Sequence, residues 1–198
     1  MKPVVRTLLI VGVLVQASFT PAATLEGVVT VDGRAASDAV VYLDAPNAAA
    51  APTQAAPQRA VMGQKNLAFV PRVLPVMRGT VVEFTNSDDV DHNVFSPSAI
   101  AGKFNLGTYG PGAASAVTLD TPGDVRILCN IHMEMEAHIL VLDGPYFSAV
   151  AQDGHYRITD VPAGTYTVKI WQGRWVAHTQ VVDLPASGSR TADIIVPK

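Results

Sequence analysis

The 198-residue chain has one cysteine, Cys129, so no disulfide can form within it. An exported chain usually pairs its cysteines or avoids them, and a lone one asks for a chemical reason. On the count alone, an inert buried thiol and a functional one stand level. Charge is sparse too, at 16% of residues, and the formal net charge is −3. A chain without a basic excess is poorly suited to nucleic acid, whose phosphates demand one. Beyond the first residues no apolar run is long enough to cross a bilayer, so no membrane span is expected in the mature protein. No long helical period appears either.

The N-terminus has a basic start, Met1-Lys2-Pro3 to Arg6, then the apolar run TLLIVGVLVQA, then the small residues Thr20-Pro21-Ala22-Ala23. This is the order of a secretory leader, and the run is short for a membrane anchor. Residues 1–23 are therefore expected to be a signal peptide cut near Ala22-Ala23, and the mature protein to be periplasmic or otherwise exported. With Lys2 and Arg6 removed, 12 basic residues face 17 acidic ones. That balance permits a positively charged protein partner.

What is present is short alternating apolar runs broken by turn residues. TVVEF at 80–84 places Val82 and Phe84 on one face; TYTVKIW at 165–171 does the same for Tyr166, Val168 and Ile170. Asp32-Gly33, Asp153-Gly154 and Pro162-Ala163-Gly164 are turn chemistry. The expected class is all-β, built of sandwiches. Pro46 to Gln58, PNAAAAPTQAAPQ, has no strand pattern, and 47–60 reads as an Ala/Pro-rich linker.

In the run VRILC, Val125, Ile127 and Cys129 share the inward face, and the thiol arrives at a strand end. The chain continues as NIHMEM and re-enters an extended run at Ala137. A thiol, the imidazole of His132 and the thioether of Met135 follow one another at intervals of three. Those are the donor types of a blue-copper plane with a weak axial methionine. A second imidazole, His92, stands in DHNVF after the strand that ends near Asn86, at the same end of a sandwich. Met133 is an alternative axial donor. Zinc also accepts a thiol and two imidazoles, although a hydrolytic zinc site gains nothing from a thioether. His138, His155 and His178 are expected to be surface histidines.

Residues 61–142 resemble a cupredoxin, the blue copper β-sandwich with Greek-key topology. The resemblance rests on MRGTVVEFTN, the HNV that follows it, TPGDVRILC, and CNIHMEM, whose compact C-x₂-H-x₂-M spacing is amicyanin-like. It implies one mononuclear type 1 copper, with His92, Cys129 and His132 equatorial and Met135 axial. It also implies that the amide of Asn93 bonds the cysteine sulfur while its side chain ties the ligand loops. At the axial position of the longer loops stands Ala137, which leaves Met135. Met133 replaces a proline, Ile127 an aromatic, and Asp91 a proline; these differences bear on the potential and the partner surface.

A second resemblance lies on both sides. GVVTVDG at 27–33 with AVVYL at 39–43, and the C-terminal FSAV, DGHYRI, VPAGTY and IW, look like the carboxypeptidase-regulatory, transthyretin-like sandwich. Residues 24–46 plus 143–198 are thus expected to form one discontinuous sandwich, with the cupredoxin inserted in or adjoining it. Val40 to Leu43 should then pair with C-terminal strands. Trp171 and Trp175 are expected to be packing residues rather than a ligand patch.

Together these readings predict an exported single-electron carrier, cycling Cu(II)/Cu(I), and no enzyme, because four protein donors leave no open position. The partner would be a redox protein, a cytochrome or a dehydrogenase. Met133, Phe95 and Pro97 would form an apolar contact beside His132, and Asp88, Asp89, Asp91, Glu134 and Glu136 an acidic rim. The alternatives are a copper carrier or sensor without electron transfer, and a structural sandwich protein.

Overall fold

The computed structural model describes residues 22–44, 58–100, 103–173 and 175–196, with the side chains of 175–178 left out. Most of the expected leader and linker lies outside these residues. Among the described residues every regular element is a strand, so the protein is all-β. The chain opens with β1 (Ala22–Val31), β2 (Arg34–Ala35) and β3 (Ala39–Asp44). Ala22 and Ala23, expected within the leader, are the first residues of β1, and Ala23 is buried. Asp32 and Gly33 between β1 and β2 both have positive φ, 51° and 73°. That is the two-residue hairpin turn their identities call for.

Nine strands follow: β4 (Arg59–Lys65), β5 (Ala68–Val70), β6 (Val73–Met77), β7 (Thr80–Asn86), β8 (His92–Ser96), β9 (Phe104–Tyr109), β10 (Ala114–Leu119), β11 (Gly123–Leu128) and β12 (Glu136–Leu142). β4 begins inside the expected linker, two residues ahead of the boundary read at 61. These strands make two sheets, ordered β10-β7-β4-β5 and β6-β12-β11-β8-β9. Strict alternation explains their packing. Val82 and Phe84 from β7 meet Val125, Ile127 and Ile139 from β11 and β12 in one core. At the end of that core lies Cys129.

The chain closes with β13 (Phe147–Ala149), β14 (His155–Pro162), β15 (Gly164–Gln172), β16 (Trp175–Leu184), β17 (Gly188–Thr191) and β18 (Ile194–Val196). These do not pair among themselves alone. β3 lies between β13 and β15, with Val41 opposite Ile170 and Tyr42 opposite Phe147. β1 pairs β14 on one side and, in parallel, β17 and β18 on the other. So Val40 to Leu43 pair with C-terminal strands. The second core joins Leu25, Val29 and Val41 to Tyr156, Val168, Ile170 and Ile194. Gly27 is needed there: a Cβ on it would lie 2.2 Å from the carbonyl oxygen of Ala192. That same oxygen accepts the hydroxyl of Tyr156 at 2.7 Å.

The two sandwiches meet through a small third cluster of Val40, Leu140, Leu142 and Trp171. Leu140 and Leu142 belong to the inner sandwich but point away from its core, and Trp171 covers them. Trp171 is thus a packing residue; the Trp175 side chain lies outside the described residues.

Candidate metal centre

β11 carries its alternation one residue past its end, so Cys129 points inward like Val125 and Ile127, and it is 3% exposed. The loop after it closes on itself. Met135 N donates to His132 O at 3.0 Å and Cys129 N to Met135 O at 3.3 Å. This turns His132 back over the thiol, where its amide lies 3.5 Å from Sγ. β8 starts at His92 and pairs β11 through Phe95 and Leu128, which brings its first residues beside the end of β11. The amide of Asn93 accordingly reaches Sγ at 3.5 Å as well. Two N–H groups aimed at one sulfur complement negative charge on it.

His92, Cys129 and His132 each offer a donor atom, and the three atoms lie within 4.8 Å of one another. The Nδ1 atoms of the two histidines are 3.1 Å apart, with the rings edge to face. His92 is 0% exposed. Its Nε2 meets Oδ2 of Asp88 at 2.8 Å. Assigning the ring proton to that bond leaves Nδ1 of His92 as a lone pair facing His132 and the sulfur.

The residues present fit a small soft or borderline ion. Two metal–nitrogen bonds of about 2.0 Å at the tetrahedral angle place the nitrogens roughly 3.3 Å apart, close to the 3.1 Å found here. Of the two methionines weighed as axial donors, Met135 is 1% exposed and belongs to the core cluster that holds Cys129; Met133 is 81% exposed and projects into solvent.

Asp88, expected on an acidic rim, lies elsewhere. The structure puts it behind His92, with a side chain only 11% exposed. The amides of Leu67 and Asn66 donate to its two oxygens at 3.0 and 2.6 Å. Those bonds, the Leu67 amide foremost and then His92, hold its carboxyl below the ordinary carboxylate range. It is the residue that fixes the His92 ring. Its only sequence signal is an acid four positions before a histidine.

Asn93 keeps the amide bond to the cysteine sulfur that the resemblance implied, but its side chain does not tie the ligand loops. Its Nδ2 donates to Oδ1 of Asn105 at 2.9 Å, and the amide of Gly107 meets the same oxygen at 2.9 Å, so the side chain ties β8 to β9. Its own Oδ1 is buried without a hydrogen bond.

The expected apolar surface is rearranged. Phe95 is half-buried, and Pro97 lies just past the end of β8, five residues from His92 and roughly 16 Å away at a strand's rise. The exposed apolar side chains on the loops that carry the site are Leu67, Val90, Ile131 and Met133. Asp89, Asp91 and Glu134 are exposed beside them, whereas Glu136 pairs with Arg126 at 2.6 Å. His138 is no surface histidine: it lies 2.9 Å from Asp124, against the ring of Trp171 on the outer face of β12. His155 is exposed, and the His178 side chain lies outside the described residues.

No protein-family model and no curated protein matches the chain. Solved structures do. A reduced single-site mutant of amicyanin aligns at 20% identity, over 44% of this chain and 85% of that one, with a TM-score of 0.41. The Cu(I) form of a second amicyanin mutant gives the same four figures. The copper-containing nitrite reductase of Thermus scotoductus SA-01 aligns at 24% identity, over 47% of this chain and 24% of that one, again with a TM-score of 0.41.

Proposed function

We propose that this chain is an exported copper protein of cupredoxin type that passes single electrons between protein partners. His92, Cys129 and His132 would hold one mononuclear copper, with Met135 as the axial donor. The observation that carries this reading is the cluster of two Nδ1 atoms and one Sγ at the closed end of a sandwich. A thiolate, two imidazoles and a thioether suit both Cu(I) and Cu(II), so a bound ion would supply a one-electron couple with little rearrangement.

The chain's own residues do the rest. Asp88 and the amide pair at Cys129 fix the donors before the ion arrives. The apolar core beneath them keeps water away. Only His132 is half-exposed, which makes its ring edge the outlet toward a partner. Asp89, Asp91 and Glu134 suit a basic redox protein, a cytochrome or a dehydrogenase among them. With four protein donors and no free position, we assign no substrate turnover. The outer sandwich, of carboxypeptidase-regulatory type, would be a spacer. Export rests on the leader-like N-terminus; no described helix is long and apolar enough to cross a membrane.

The test is spectroscopic. Apo protein given one equivalent of Cu(II) should develop an intense visible thiolate-to-copper band that bleaches reversibly on reduction, and Cys129→Ser should abolish it. A colourless protein that takes up only Cu(I) would favour carriage instead, a reading the exposed thioether of Met133 supports. Absence of copper uptake would sink both.

A further inference from the structure

We propose that Met133 and the imidazole of His132 form a surface landing site for Cu(I), through which the buried donors are loaded. This rests on the copper reading above. His92, Cys129 and Met135 are closed off from solvent, so an ion reaches them past His132, the half-exposed donor. The next residue in the chain, Met133, is the most exposed large apolar side chain among the described residues.

Burial energy gives no reason for a methionine in that position, since its side chain gains nothing from water. The loop closure does fix where it points. With Met135 N bonded to His132 O, Met135 turns inward and Met133, two residues earlier, turns out. One thioether therefore lies in the core that also holds Cys129 and one in solvent beside His132 in the chain, on either side of a short turn.

Thioether sulfur is neutral, does not titrate, and prefers Cu(I) strongly over Cu(II); imidazole accepts both. Loading would run by ligand exchange. Met133 Sδ bonds the incoming Cu(I) as one donor of the delivering ligand leaves, and His132 takes the second position. The ion then passes to Sγ of Cys129, whose proton goes to water as the copper–sulfur bond forms. Copper stays Cu(I) throughout, so no oxidant or reductant is needed. An apolar role at the same position would not distinguish the two oxidation states, and this separates the alternatives.

Stopped-flow mixing of the apo full-length chain with Cu(I)–bicinchoninate, under anaerobic conditions with ascorbate, follows loading through loss of the chelator's colour. Met133→Leu keeps the apolar bulk and removes the donor. It should load Cu(I) about tenfold more slowly, the effect of one weak donor bond on a barrier, yet take up Cu(II)–glycinate at the wild-type rate and reach the same final copper content. Met133→His, which restores a donor, should recover Cu(I) loading. Equal Cu(I) rates for wild type and Met133→Leu overturn the proposal. Equal slowing with Cu(I) and Cu(II) also overturns it, since that marks a packing role. If the wild-type chain takes up neither ion, the copper reading itself fails.

Discussion

Asp88 and His92 are four residues apart, and the carboxylate decides which imidazole nitrogen faces the site. Asp88→Asn keeps the size but replaces an anionic acceptor with an amide. Copper affinity should fall roughly 10- to 100-fold, the usual cost of losing a partner behind a ligating histidine. Competition against a copper chelator measures this, and unchanged affinity would remove Asp88 from the site. Met135 invites a different comparison, in the apo protein. Met135→Ala leaves a cavity and should cost about 2–5 kcal/mol, whereas Met135→Leu should cost less than about 1.5 kcal/mol. Denaturant unfolding separates the two, and equal costs would mean that Met135 is not packed as described. At this scale the sequence carried the thiol and its loop, because strand alternation and spacing are local facts. It did not carry Asp88, which reads as one acid among several in a turn. Its role depends on where the amides of Asn66 and Leu67 arrive, and that is set by a different hairpin.

Among the elements, β1 is the most constrained, flanked by β14 on one side and by β17 and β18 on the other. At Gly27 it passes so close to Ala192 that any side chain would displace backbone. Gly27→Ala should therefore cost at least about 1–3 kcal/mol by overpacking, and loosen Tyr156, whose hydroxyl shares the contested oxygen. Urea unfolding followed by tyrosine fluorescence would read both effects; a neutral outcome would mean that β17 and β18 do not dock there. Alternating strands such as β7 and the stretch of β15 up to Ile170 were legible because every second residue there is buried. The four exposed residues of β17 were not, since nothing in GSRT encodes an inward face. Pairing with β1 makes them a strand.

Across the whole molecule, burial is the common cause of one pH effect. The phenols of Tyr42, Tyr146, Tyr156 and Tyr166 are raised above their ordinary value by burial, and that of Tyr109 is pushed up to about 12. Unfolded tyrosines titrate near about 10, so above that pH the unfolded chain loses protons first. Stability carried by the neutral phenols is complete below about pH 10 and is lost as pH rises through the folded values. Unfolding midpoints should decline steeply from about pH 10 to about pH 12; a flat profile would contradict the burial. The pairing of β3 with β13 and β15 joins AVVYL to strands more than a hundred residues on. The junction was not legible, since Leu140, Leu142 and His138 sit where a lone sandwich would face water. The pairing of the two end strands has a mechanical consequence. β1 runs parallel to β18, so tension applied between Ala22 and Val196 drags these strands past each other and strains their hydrogen bonds together in shear. The inner sandwich leaves β3 and returns at β13, which are neighbours. It hangs off the line of pull, and the loops that carry His92 and Cys129 feel no force until the outer strands have slid apart.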